Sequence, residues 1–367
     1  MKGKLKLCAS LFAALAVLGA SGAKAEGYKA GAIRWDAWYG GDKSDPQDPG
    51  HAVERALQDE QWRYRTPVFM TRNPDGTITL NGAKQEIVDS EIELAHAAGL
   101  KFWAYCLYGD DSAMSRTLDL HRKSAKKKLM PFCVIMDCRF ADKIAPRLLE
   151  LIRDEAYFKI DGRPVIFSLA TLHPFIKTAF DSQKWGERKE ALFAKIEKLC
   201  GKKPFYVIME SDPDKRAAQF IEYFKPDALS AYWAVKFNKE AADYEVLMDY
   251  NREFWKRNLA LGIEYIPVVT AGADRRPRIF EPMPWEKQKK GHNAEFYYKP
   301  ASPAQVAKLL TDALKFIDNN PTACPHKLAI IYAWNEYDEG GWIAPVMGDG
   351  DARLKAIGGV LKEAEAR

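Results

Sequence analysis

From residue 29 onward, short apolar runs alternate with longer stretches whose apolar residues recur every three or four positions. The runs are AGAIRWDAWYG (30–40), LKFWAYCLYG (100–109), MPFCVIMDCRF (130–140), RPVIFSLA (163–170), KPFYVIME (203–210), DALSAYWAVK (227–236), IEYIPVVTAG (263–272) and LAIIYAWNEY (328–337). Between them lie helical patterns such as QEIVDSEIELAHAAG (85–99), RKEALFAKIEKLC (188–200) and SPAQVAKLLTDALKFIDNN (302–320). Near-continuous apolar strands predict a parallel sheet covered on both faces, because helical crossovers must pack on each side. About eight strand–helix units are the number that closes a (βα)8 barrel, so an α/β fold of TIM-barrel type is expected. A doubly wound sheet is the alternative, but no glycine-rich dinucleotide fingerprint follows any run. NPDGTITL (73–80) predicts a turn and hairpin in the first βα connection. The segment from Asp274 to Pro300, rich in Pro, Arg, Trp and Tyr, predicts a long loop that serves a site.

The first 25 residues break this pattern. Three early lysines, an apolar run from Leu7 to Ala20 and the small residues Ala23 and Ala25 around Lys24 read as an export signal. The expectation is a chain exported to the periplasm or the medium, cleaved near Ala25–Glu26, with one barrel domain over 26–367. That segment holds four lysines and no acid, so removing it takes the formal charge from +5 to +1. A balanced charge gives no reason to expect a nucleic-acid partner, and no second apolar stretch calls for a membrane. The five later cysteines (106, 133, 138, 200, 324) lack CxxC spacing, and Cys106 and Cys133 read as buried free thiols. The histidines form no HxH or HExxH pattern, and neither metal nor organic cofactor is expected.

In a parallel barrel, function gathers where the strands end. Those ends supply Trp35, Asp36, Trp38 and Tyr39, then Tyr105 and Tyr108, Asp137 and Arg139, Glu210 with Asp212, Tyr232 and Trp233, then Asp274 and Arg275, and finally Trp334, Asn335, Glu336, Glu339 and Trp342. Aromatics beside carboxylates suit sugar chemistry: ring faces stack on Trp and Tyr, hydroxyls bind polar groups, and two carboxyls flank the glycosidic bond. A carbohydrate substrate is therefore expected. The run IIYAWNEYDEGGWIAP (330–345) is the sharpest case, since an apolar strand delivers Glu336 and Glu339 beside tryptophans. Restricted water would raise the pKa of Glu336 and keep it protonated. Glu339 shares its pocket only if the chain coils just after the strand. Arg275, Arg276 and Arg278 read either as solvated loop residues or as contacts to an anionic sugar.

WNEYDEGGWIAP resembles the WNEWxEGxxxEP signature of family 99 glycoside hydrolases and of the WbsX-type domains similar to them. AWYG (37–40), YFKIDGRPVIFSLA (157–170), VVTAGADRRPR (268–278) and YYKPASPAQVAKLLTDALKFI (297–317) resemble other segments of that family. The resemblance implies a (βα) barrel acting on glycans, with both motif glutamates catalytic and a retaining outcome. Carried over by position, Glu336 would be the base on the sugar's own 2-hydroxyl and Glu339 the general acid/base. An ordinary double displacement would draw its nucleophile from Asp137 or Glu210. Tyr337, Asp338, Gly341, Trp342 and Ala344 depart from the hydrolase signature at expected sugar subsites, pointing away from a mannan. WbsX-type glycosyl transfer and non-catalytic glycan binding are the competing expectations.

Overall fold

A computed structural model describes residues 27–137, 141–169, 179–210, 217–236, 239–287 and 289–366. The expected export signal, Cys138, Arg139 and Asp212 lie outside these residues. Eight strand positions carry the architecture: β1 (Lys29–Arg34), β2 (Phe102–Cys106), β3 (Phe132–Asp137), β4 (Arg163–Leu169), β5 (Phe205–Met209), β6 (Ala228–Ser230), β7 and β8 (Leu328–Tyr332). Strand β7 comes in two pieces, Glu264–Tyr265 and Val268–Thr270. Every neighbouring pair of these strands is parallel, in chain order from β1 to β6. β8 lies beside β1, with Lys29 opposite Leu328.

The two pieces of β7 close the ring. Its first piece pairs with β6 (Glu264 opposite Ala228) and its second with β8 (Val268 opposite Ile330). Pro267 sits at the break, where a residue without an N–H cannot extend the ladder. The backbone groups at the break stay paired: Ile266 N–H donates to Leu229 O, and Pro267 O accepts from Ile330 N–H. The expected barrel is what the chain builds.

Helices clothe the ring: α1 (Pro49–Ala56) and α2 (Gln85–Ala97) after β1, then α3 (Arg116–Lys123), α4 (Ala141–Leu151), α5 (Ala179–Cys200), α6 (Ala218–Phe224) and α7 (Tyr244–Leu259) after β2 to β6. The expected long loop after β7 contains a short helix, α8 (Arg276–Phe280). It is followed by α9 (Pro303–Asn319), and α10 (Ala352–Glu365) comes after β8. Helix α9 starts with a reciprocal cap between Ser302 and Gln305 and has Pro303 at its first position, an arrangement worth about 1 kcal/mol. Thr71–Arg72 and Ile78–Thr79 form the expected hairpin.

The barrel interior is apolar and close-packed. β8 is buried along its whole length, and so is β5. Gly31 in β1 leaves room for the Phe102 ring, whose nearest atoms would lie 2.4 Å from an added Cβ. Burying each large aliphatic side chain of such a core is worth ~1.5–3 kcal/mol. Among the described residues the cysteines are free thiols, with Cys133 and Cys324 buried. No described helix is long and apolar enough to cross a membrane.

Candidate active site

The last strand sets the site. Beyond Tyr332, Trp334 N–H donates to Ile33 O at 2.7 Å, which keeps the chain against β1. Asn335–Glu336 then pairs antiparallel with Gly341–Trp342. Gly340, with φ +86°, makes the turn that a side chain would strain. An added Cβ on Gly341 would lie 2.3 Å from the Tyr332 ring. The two glycines therefore let a tight hairpin fold over Tyr332, and the fold-back turns Glu339 toward the pocket of Glu336. Sequence spacing required a coil after the strand for this; the hairpin supplies it.

Both glutamates meet one guanidinium. Arg278 of α8 reaches Glu336 Oε2 through Nη2 at 3.4 Å, Asp338 Oδ2 through Nε at 2.6 Å, and Glu339 Oε1 through Nη1. Arg275 Nε lies 3.1 Å from the same Glu339 oxygen, while its Nη2 donates to Glu286. Two tyrosines complete the set. Tyr232 donates to Glu336 Oε1 at 2.6 Å, and Tyr332 donates to Glu339 Oε2 at 2.5 Å.

These surroundings push the two carboxyls in opposite directions. Burial, reinforced by repulsion from Glu339, raises the Glu336 pKa well above the usual carboxylate range, and its long contact to Arg278 does not offset this. Burial would also raise Glu339, but Arg278, Arg275 and the Tyr332 hydroxyl outweigh it and hold Glu339 below that range. The proton is thus favoured on Glu336 and the negative charge on Glu339, the direction of separation that acid–base chemistry needs.

A cleft of about 570 Å³ opens beside this pair, and neither glutamate is among its lining residues. Its walls include Trp35, Tyr108, Asp137, Tyr232, Arg278 and Trp285. Tyr232 and Arg278 are the two groups bonded to Glu336, so the cleft reaches the acid through them. The Trp35 indole N–H donates to Tyr108 at 2.7 Å, and the Arg278 guanidinium lies 4.8 Å from the Trp35 ring centre. Trp285 stands 6.2 Å from Trp35 and is 45% exposed. Two indole faces at a cleft of ligand size suit stacking against sugar rings.

The sequence profile described as glycosyltransferase WbsX matches residues 136–357, more than half of the chain. The chain belongs to the WbsX family. Two solved structures of a family 99 (GH99) endo-α-mannosidase from Bacteroides thetaiotaomicron share its fold. One, bound to bis-tris-propane, has a TM-score of 0.55 at 16% identity over 92% of this chain and 97% of its own. The other has a TM-score of 0.55 at 14% identity over 92% of this chain and 98% of its own. At such identity the likeness speaks for the barrel alone. No curated protein matches significantly.

Within this WbsX-family barrel, the remaining residues singled out from the sequence divide by position. Trp35 and Asp137 line the cleft; Trp233 lines a neighbouring cavity, with its ring 5.3 Å from that of Tyr332. Glu210 is buried at the end of β5. Asp36 and Asn335 are turned away from the cleft into a buried network. Arg34 clasps Asp36 and Glu91, Asn335 Nδ2 donates to Asp36 at 2.9 Å, and Asn335 Oδ1 accepts from Trp35 N–H. Trp334 donates to Glu91 from the core. Tyr105 is equally interior, its hydroxyl 2.9 Å from His121 Nδ1.

Trp38 packs on Tyr337, and Tyr39 bonds Asp48 beside the start of α1. Trp342 stacks on Arg353 at 3.9 Å. Asp274 is clasped by Arg65 and Arg276, which hold its pKa down against burial. None of these lines the cleft, because the chain leaves the strand pleat at Arg34 and buried arginines draw the acids inward. Arg275, Arg276 and Arg278, read as solvated or sugar-binding, are tied to internal carboxylates, while Arg278 also lines the cleft and Arg275 the neighbouring cavity. Sequence reasoning undervalued Tyr232, Tyr332, Arg278, Glu286 and Trp285. Among the described residues no three His, Cys, Asp or Glu side chains are grouped to hold a metal ion.

Proposed function

We propose that this protein is an exported glycoside hydrolase, with Glu336 as general acid and Glu339 as its ionised partner. One observation carries the reading: two glutamates share a guanidinium behind an aromatic cleft, and their pKa values are driven apart. A protonated Glu336 would deliver its proton to the glycosidic oxygen as the bond breaks. Glu339, kept anionic, would act at the anomeric side, either as nucleophile or as base on the sugar's 2-hydroxyl; both routes give retention. The electrostatics thus favour the reverse of the roles that positional resemblance implies. The N-terminal segment supports export, and family membership supports a glycan as the substrate class.

A second reading has its own support. Glu339 Oε1 carries two guanidinium contacts and the residue is only 8% exposed, as expected of a binding barrel that needs no reaction. The family's description also names glycosyl transfer, which would need a nucleotide-sugar donor. The deciding experiment screens the purified protein on a glycan panel beside Glu336→Gln and Glu339→Gln. The hydrolase reading expects cleavage that falls by ~100-fold or more in each variant, the size lost with an acid–base group. Cleavage untouched by both substitutions removes the assignment. Binding without cleavage, unchanged in both variants, selects the binding barrel.

A further inference from the structure

Next to the cleft lies a second cavity of about 550 Å³, and its chemistry differs. The first cleft has two carboxylates, Asp111 and Asp137, with Lys143 4.0 Å from Asp111, and its Arg278 is committed to Glu336, Asp338 and Glu339. The second has Arg275, Lys287, Lys289 and His292 on its walls and no carboxylate among its described lining. Arg275 is neutralised by Glu339 and Glu286. Lys287 and Lys289 are exposed, and among the described residues neither has an ion-pair partner. Trp233 and Tyr297 add ring faces, and Tyr298 is fixed by bonds from its N–H to Ala273 O and from its hydroxyl to Lys236 O. Two observations join this cavity to the catalytic pair. Arg275 lies 3.1 Å from Glu339 Oε1, and the Trp233 ring touches Tyr332, the hydroxyl donor to Glu339.

We infer that this cavity is a subsite for a negatively charged sugar unit, bearing a uronate carboxylate or a sulfate ester, next to the bond at Glu339. The inference rests on the proposed glycan function and names the substrate class. Lysines and aromatic rings lining one cavity recognise a sugar ring and its anion together, whereas a neutral sugar would leave two cations unanswered.

The test uses the full protein on an array of uronate-bearing and sulfated oligosaccharides, each beside its methyl-esterified or desulfated counterpart. Wild type is expected to prefer the charged member of a pair, and the arm that responds distinguishes carboxylate from sulfate. In Lys287→Gln/Lys289→Gln the preference should drop about tenfold, the size that partly open charge contacts supply, and added salt should mimic the change. Preference for neutral glycans, binding of no charged glycan, or selectivity unaltered in the double variant each overturns the subsite. Binding is read separately from cleavage, so the two readings can fail apart. Lysine-dependent binding without hydrolysis would keep the subsite and remove the hydrolase; hydrolysis of neutral glycans alone would do the reverse.

Discussion

Replacing Arg278 by methionine removes the charge around which the site is built while keeping most of the side chain's length. Three buried acids lose a partner, namely Asp338, bonded at 2.6 and 3.2 Å, Glu339, and the more distant Glu336, as does the partly buried Glu286 at 3.4 Å. Leaving buried charges uncompensated costs about 3–5 kcal/mol. In a domain of this size each kcal/mol moves Tm by roughly 2 °C, so the variant should melt about 5–10 °C lower near neutral pH. The pH dependence distinguishes this from simple loss of packing. Glu339's folded pKa is lowered, so its contribution to stability is complete above the unfolded value and is lost as pH falls through the folded one. In the variant that pKa rises and the carboxyl protonates sooner. The Tm gap should therefore be widest near pH 7 and narrow toward about pH 4 in melts followed by circular dichroism. A gap that stays constant over this range, or one near zero throughout, refutes the role given to the guanidinium.

Glu336→Gln should behave in the opposite sense. Its folded pKa is raised, so the ionisable side chain erodes stability as pH climbs above the unfolded value of about 4.3; the variant should gain Tm relative to wild type from acid to neutral pH, and equal slopes would contradict this. Tyr232→Phe removes the donor that lowers the Glu336 pKa, so the basic limb of the pH–rate profile should move to higher pH; an unmoved limb would sever Tyr232 from the acid. Trp285→Ala, at an exposed position, should leave Tm within about 1 °C yet weaken glycan binding about tenfold in calorimetry; unchanged affinity would remove the indole from the sugar platform.

The barrel was legible because its signal is redundant. Each apolar run is too continuous for a half-solvated strand, and each is followed by helix-period spacing, so an error in one unit leaves the count intact. β7 is instructive: EYIPVV reads as one strand, and Pro267 divides it so that each half serves a different neighbour. The site was legible only in outline. Period-2 alternation assigns faces while the chain stays in the pleat, and β1 ends at Arg34. Past that point it could not say that Trp35 would enter the cleft while Trp38 and Tyr39 packed away from it. Tyr332 shows the converse. It lies inside an apolar run and reads as core, which its ring is, yet its hydroxyl reaches Glu339.

The acids were harder still, because spacing cannot tell a catalytic carboxyl from a clasped one. Asp36 and Asp274 stand at strand ends as Glu336 does, and each is gripped by guanidinium groups: Arg34 for the first, Arg65 and Arg276 for the second. Burial demands such pairing, since an ionised carboxylate without it is too costly to keep dry. Glu336 differs from its motif neighbours in one respect. Asp338 takes the close Nε contact of Arg278 and Glu339 takes two guanidiniums, which leaves Glu336 with a single cationic contact at 3.4 Å. A buried carboxyl short of cation answers by holding its proton, and a held proton is what the leaving oxygen of a glycoside requires. On the proposed hydrolase reading, the rank order of contacts around one arginine, about sixty residues away in the chain, gives Glu336 the part of the acid.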